Sequence, residues 1–262
     1  MTAYYNEIDP FAAQWLRNLV DAGHIAQGVV DTRSIEEVTA NDLKGFTQCH
    51  FFAGIGVWSY ALRRAGWPDD RPVWTGSCPC QPFSQTGKRT GITDERHLWP
   101  HFHYLIEQCR PAIIFGEQVA SKDGLAWFDL VYADLEGTGY TAAAFDLCAA
   151  GVGAPHQRQR LYWVGHSDNE GAQGYRQPSK FVYSEGRKEA QRHFVSSDVA
   201  AHFWSSWEAN KGADEEIRVI PASYGTFAYG VAGRVGQLRA YGNAIVAPVA
   251  EAFISAYLES AQ

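Results

Sequence analysis

Apolar and polar positions along this chain fall into short β-like runs separated by stretches with helical spacing. Ala3 to Asp9 reads as a short aromatic strand ending in acidic residues, and a helix from Pro10 to about Ala22 follows, with proline in the first turn and Gly23 as the stop. Gly28-Val29-Val30-Asp31 predicts a second strand with an acid at its carboxyl end. Ser34 and Glu37 have the spacing of a capping box, opening a helix or turn that reaches about Leu43. Thr47 to Ala53 is a β-like run that breaks into Gly54-Ile55-Gly56, after which Val57 to Ala65 resumes helical spacing. Arg71 to Gly76 predicts a strand, His97 to Gln108 a helix, Ala112 to Gly116 a buried strand and Leu125 to Glu136 a helix. Tyr140 to Asp146 and Leu161 to Val164 predict two more strands, and an apolar helix closes the chain to about Leu258. Such alternation predicts an α/β fold, a mostly parallel sheet with helices on both faces.

From about His166 to Arg234 the alternation stops, and polar, glycine and aromatic residues mix without a clear period. The expected organisation is therefore a core of residues 1–165 and 235–262, with a small annex at 166–234. At 262 residues the chain has room for one large α/β domain and little more.

Charge changes the picture only locally. The formal net charge is −7, so no global basic field announces a polyanion partner. Arg176, Lys180, Arg187, Lys188 and Arg192 nevertheless cluster in the annex, either as a solvated face or as a local anion-binding patch. Five cysteines, an odd number, with no charged-then-apolar leader at the start, point to reduced thiols in a cytoplasm. No apolar run reaches the roughly 18 residues of a membrane span, so a soluble protein without a membrane partner is expected.

Cys80 lies in Cys78-Pro79-Cys80-Gln81-Pro82-Phe83-Ser84, just after a predicted strand, where ligands bind in open α/β sheets. A thiolate there can act as a nucleophile, although a single cysteine is more often a buried structural residue. Cys78, Cys80, His97, His101 and Cys109 lack the paired spacings of zinc sites, so no metal is expected.

Several further blocks accompany Cys80: Phe52-Ala53-Gly54-Ile55-Gly56, Gly116-Glu117-Gln118-Val119, Arg158-Gln159-Arg160 and Gly242-Asn243-Ala244-Ile245, with Gly87, Gly91, Asp94 and Arg96 after the cysteine. Jointly these resemble the motifs of the DNA cytosine-C5 methyltransferases, over about residues 4 to 165 and 234 to 258. The resemblance implies a Rossmann-like class I methyltransferase fold with a DNA-recognition annex and S-adenosylmethionine as cofactor. It also implies double-stranded DNA as substrate and base flipping to reach the cytosine. It makes Cys80 the nucleophile, Glu117 the acid at cytosine N3, and Arg158 and Arg160 the side chains that hold the base. Glu7 and Ile8 resemble the ribose block and Asp31 the adenine-binding aspartate, while Phe52, Gly54, Gly56 and Asn243 complete the expected cofactor site. Gln81, Ser84, Arg96 and the five basic annex residues are the expected DNA contacts. A monomeric bacterial or phage enzyme of the restriction-modification type fits this picture. An RNA cytosine methyltransferase and a catalytically silent DNA-binding protein stay open as alternatives.

The order of the blocks departs from that of most members, because Glu7 and Asp31 precede Gly54 instead of following it. If the strands keep their places, the chain runs from the ribose strand to the adenine strand, back to the glycine strand, and on to the cysteine strand. Right-handed crossovers then predict that the helix Val57 to Ala65 moves to the opposite face of the sheet. Gln118 stands where the family has asparagine, Ile8 where many members have a stacking aromatic, and no segment matches the block that usually precedes the last one.

Overall fold

The computed structural model describes residues 3–79, 98–154, 156–167, 207–211, 217–221 and 243–260. Seven strands form one sheet: β1 (Ala3–Asn6), β2 (Gly28–Asp31), β3 (Gln48–Phe51), β4 (Val73–Gly76), β5 (Ile113–Val119), β6 (Tyr140–Cys148) and β7 (Gln159–Ser167). Their spatial order is β2-β1-β3-β4-β5-β7-β6. β1 to β5 pair in parallel, and β7 runs antiparallel between β5 and β6. The fold is the Rossmann-like, mostly parallel α/β sheet expected from the alternation of elements. The strand order also matches the rearranged path, with the chain returning across β1 to lay β3 beside it.

Among the described residues five helices accompany the sheet: α1 (Pro10–Asp21), α2 (Val57–Arg64), α3 (Leu98–Cys109), α4 (Lys122–Gly137) and α5 (Ala247–Ser260). The α1 helix starts where Asp9 accepts from the backbone N–H groups of Phe11 and Ala12, with Pro10 at its first position. Capping-box geometry at Ser34 and Glu37 is present, on a single turn of 3-10 helix at Ile35–Glu37. Two further strands, β8 (Trp207–Lys211) and β9 (Ile217–Pro221), pair as an antiparallel hairpin inside the stretch in which the sequence shows no period.

Alternation along each strand splits the core between the two faces. Tyr4, Phe51, Trp74 and Ile114 point to the side covered by α3, α4 and the turn carrying Ile35, Val38 and Leu43. Ala3 and Tyr5 face Leu16 and Val20 of α1, and Val73, Ile113 and Phe115 face α2 and α5. Because Ser59 of α2 hydrogen-bonds Tyr5, and Gly56 abuts Leu16 of α1, α1, α2 and α5 share one face.

This overturns the expectation for α2. The steps β2 to β3, β3 to β4 and β4 to β5 all travel the same way across the sheet, yet α2 lies on the face opposite α3. The β1 to β2 step travels the other way on the other face, so it shares the hand of the α3 crossover. Three crossovers thus agree, the hand that the strong right-handed preference assigns, and β3-α2-β4 is reversed. The local cause is the connection after β3, where Phe52, Gly54 and Gly56 all take left-handed φ values of 51°, 54° and 78° and turn the chain to the α1 side. Burial of Trp58, Ala61 and Leu62 against the sheet and α5 then holds the helix there.

Candidate active site

Parallel pairing brings the carboxyl ends of β1 to β5 to one edge, and the antiparallel β7 begins at that same edge. Val119 at the end of β5 is in register with Arg160 at the start of β7. Glu117 and Arg160 are therefore strand residues, whereas the apolar pattern alone ends the first strand at Gly116 and starts the second at Leu161.

Glu117 is 9% exposed, and one of its carboxylate oxygens lies 3.0 Å from Nε of Arg160. Burial raises its pKa, opposed by the nearby charges of Arg160 and Arg158 and by hydrogen bonds from Ser77 and Arg160, with a net upward shift. Arg158 donates to the Ala244 carbonyl at 2.8 Å, which ties the carboxyl-terminal block, including the exposed Asn243, to this edge.

Around the turn that leads to Cys80, Trp58 Nε1 donates to Ser77 Oγ at 3.0 Å and Gln118 Nε2 donates to the Cys78 carbonyl at 3.3 Å. The Gln118 side-chain oxygen Oε1 also accepts from the Val119 amide at 2.9 Å. The glutamine in the place of the family's asparagine is thus a buried strut between β5 and the segment that follows β4. Cys78 is buried, and burial pushes its thiol pKa up, which suits packing and not nucleophilic attack. Cys80 follows Pro79 in the chain and lies outside the described residues, as do Gln81, Ser84, Arg96, Arg176, Lys180, Arg187, Lys188 and Arg192.

A second group of expected residues converges beyond β3. Glu7 accepts from the Gly54 amide at 2.7 Å and from the Asp9 amide at 2.9 Å, one bond to each carboxylate oxygen. Burial raises its pKa against those two bonds. The Glu7 amide donates to the Asp31 carbonyl at 3.0 Å, so the acids at the ends of β1 and β2 are adjacent. The Asp31 side chain accepts from Tyr4 at 2.8 Å and from Arg33 at 2.6 Å. Burial would raise its pKa, but the Arg33 side chain and amide and the Tyr4 hydroxyl outweigh it and hold the carboxyl low. Ile8 is 64% exposed beside these acids.

The two glycines differ in role. A Cβ built on Gly54 meets nothing within 4 Å, whereas one on Gly56 lies 3.0 Å from Leu16, so Gly56 answers to helix packing. Phe52 has a left-handed backbone and packs against the core on the α3 side. The donors and acceptors fit an adenosine moiety: each Glu7 oxygen keeps a lone pair for a ribose hydroxyl, and Gly54 lets the backbone border open space. Sequence reasoning missed Tyr4, Arg33, Trp58 and Ser77, because each acts through a partner distant in sequence or on a neighbouring turn. Among the described residues no cluster of His, Cys, Asp and Glu could hold a metal ion, and no helix is long and apolar enough to cross a membrane.

The chain is similar to the type II methyltransferase M1.ScrFI of Lactococcus lactis subsp. cremoris, 28% identical over 171 residues, 63% of this chain and 42% of that protein. M.NgoBI of Neisseria gonorrhoeae is 33% identical over 104 residues, 38% of this chain and 33% of that protein. M.HhaI of Haemophilus parahaemolyticus is 28% identical over 116 residues, 43% of this chain and 36% of that protein. The chain thus spans under half the length of each of these relatives. A solved structure of DNMT2 from Spodoptera frugiperda superposes with a TM-score of 0.43 at 20% identity, over 64% of this chain and 43% of that one. The family model for C-5 cytosine-specific DNA methylase matches residues 67–212, more than half of the chain, a span that includes Cys80, Glu117, Arg158 and Arg160. The chain belongs to the C-5 cytosine-specific DNA methylase family.

Proposed function

We propose that this protein transfers a methyl group from S-adenosylmethionine to C5 of a cytosine flipped out of double-stranded DNA, through a covalent bond between Cys80 and C6. The observation that carries this reading is the buried Glu117 with Arg160 at 3.0 Å, at the edge where β4 ends at Gly76, three residues before Pro79, and Cys80 follows in the chain. The reading assigns three chemical roles: Cys80 as the nucleophile, Glu117 as a proton donor, and Arg158 and Arg160 as cations that bind a polar base.

Cytosine C5 is a poor nucleophile within an intact aromatic ring. Addition of the Cys80 thiolate at C6, with Glu117 giving a proton to N3, turns C5 into an enamine carbon. Arg158 and Arg160 hold the base and polarise its O2. C5 then takes the methyl group, loss of its proton to solvent restores the C5–C6 double bond and expels the thiolate, and N3 returns its proton to the Glu117 carboxylate. The cofactor would be held by Glu7 at the ribose and Asp31 at the adenine amino group, with Ile8, Phe52, Gly54, Gly56 and Asn243 around it. When bound, it supplies a methyl group on a sulfonium centre. Gln81, Ser84, Arg96 and the annex cations Arg176, Lys180, Arg187, Lys188 and Arg192 would contact DNA, with the β8–β9 hairpin as part of the annex at 166–234.

Trapping on DNA that carries 5-fluorocytosine tests the reading, because fluorine cannot leave C5 as a cation and the adduct persists. A denaturing gel should show a covalent band only with S-adenosylmethionine, for the wild type and Cys78→Ala but not for Cys80→Ala. An adduct that forms without cofactor, or persists in Cys80→Ala, overturns the mechanism. Trapping on 5-fluorocytidine RNA in preference to DNA would favour the RNA alternative, and DNA binding without any methyl transfer would favour the silent one.

A further inference from the structure

We propose that Ser77 is a positioning residue for Glu117, its oxygen anchored by the Trp58 indole N–H and its one hydroxyl hydrogen given to the Glu117 carboxyl. The register of the sheet sets the two side by side. Gly76, the last residue of β4, pairs with Gly116, so Ser77 just beyond β4 and Glu117, the next residue of β5, emerge at the same level of the active edge.

The direction of the chain of hydrogen bonds follows from donor inventory. An indole nitrogen is a donor only, so at 3.0 Å the Ser77 oxygen must accept from Trp58. A serine hydroxyl has a single hydrogen, which is left to give, and the Glu117 carboxyl beside it takes it. Trp58 is a firm anchor: it is 5% exposed, lies nearly parallel to the Phe115 ring at 6.1 Å, and meets Tyr162 edge-on at 6.0 Å. Glu117 is thus fixed from the β4 side by Ser77 and from the β7 side by Arg160 at 3.0 Å. Among the described residues, the other charged or titratable groups facing it are Arg158 and Tyr162, both from the β7 side.

Removing the Ser77 hydroxyl leaves Arg160 in place but frees the carboxyl to turn. It also removes a donor that favours the charged form. What this does to Glu117 is independent of substrate. What it does to catalysis rests on the function proposed above.

The two are read separately. Carbon-13 NMR of the Glu117 carboxyl, assigned by Glu117→Gln, gives its titration midpoint in the protein alone. Ser77→Ala should move the midpoint up, Ser77→Thr should restore it by keeping a hydroxyl, and Trp58→Phe, which keeps an aromatic ring without the N–H, should give a smaller upward move. In parallel, kcat for methyl transfer to cytosine DNA should fall about tenfold in Ser77→Ala, the scale of one well-oriented hydrogen bond. KM for S-adenosylmethionine should hold, and the pH-rate profile should shift with the midpoint. A midpoint unmoved in Ser77→Ala, or moved equally in Ser77→Thr, overturns the positioning role whatever the activity. A moved midpoint with no methyl transfer in the wild type supports the positioning role and overturns the catalytic reading instead.

Discussion

Glu7 illustrates how a residue gains a role from partners that a sequence window cannot contain. Its carboxylate is set by Gly54, forty-seven positions away, and its own amide is set by Asp31. Glu7→Ala and Asp31→Ala should each weaken S-adenosylmethionine binding by about 1–3 kcal/mol, the scale for leaving a polar partner unsatisfied. Calorimetric titration with unchanged affinity in both variants would remove the cofactor role of β1 and β2. His50 carries a prediction of another kind. It is 1% exposed, stacks on Tyr5 at 4.9 Å and bonds Thr75 at 2.8 Å, and burial lowers its pKa from 6.5 to about 3. Between those values the unfolded chain binds a proton that the folded protein refuses. The stability due to the neutral ring is therefore complete above pH 6.5 and is lost progressively as the pH falls toward 3. Lowering the pH from 7 to 5 should cost about 2 kcal/mol through this group. Urea unfolding of His50→Gln should show that much less acid sensitivity over the same interval, and an identical pH dependence would rule out the assignment.

At the scale of elements, the ends of β5 and β7 show where sequence periodicity misleads. Glycine and charged residues at Gly116, Glu117 and Arg160 look like the punctuation of strand ends, but β5 and β7 shield each other and continue through them. Gly116 is required for packing, since a Cβ there would lie 2.1 Å from the Trp163 ring. The reversed crossover of α2 depends likewise on partners invisible in its own sequence. Ser59 is 1% exposed, sits 3.0 Å from the Tyr5 hydroxyl and accepts from the Ala26 amide at 3.2 Å, stapling α2 to the loop after α1. Ser59→Ala strands that buried amide and should destabilise the fold by about 1–3 kcal/mol. A denaturation midpoint equal to that of the wild type would show that apolar packing alone holds α2 on this face.

For the whole molecule, a net charge of −7 gives no general attraction to a polyanion, so any DNA affinity must come from local clusters. Neutralising Arg187, Lys188 and Arg192 together should weaken DNA binding and flatten its logarithmic salt dependence by up to about 3, roughly 0.9 for each phosphate that is no longer neutralised. Methyl transfer at saturating DNA should survive. A salt slope identical to the wild type would make the cluster an ordinary solvated face.

The sequence by itself determined the α/β alternation, the capping box, the acids at the ends of β1 and β2, and the motif blocks that mark the family. Each of these is written in residues close together in the chain, as a period, a spacing or a short block. It also implied the return of the chain across β1, because the blocks occur out of their usual order. Tertiary structure alone decided the face taken by α2, the strand setting of Glu117 and Arg160, the β8–β9 hairpin and the pairing of Trp58 with Ser77. Those depend on which side chains meet across the sheet, and burial and hydrogen bonding between residues dozens of positions apart outweigh both local period and the usual hand of a crossover.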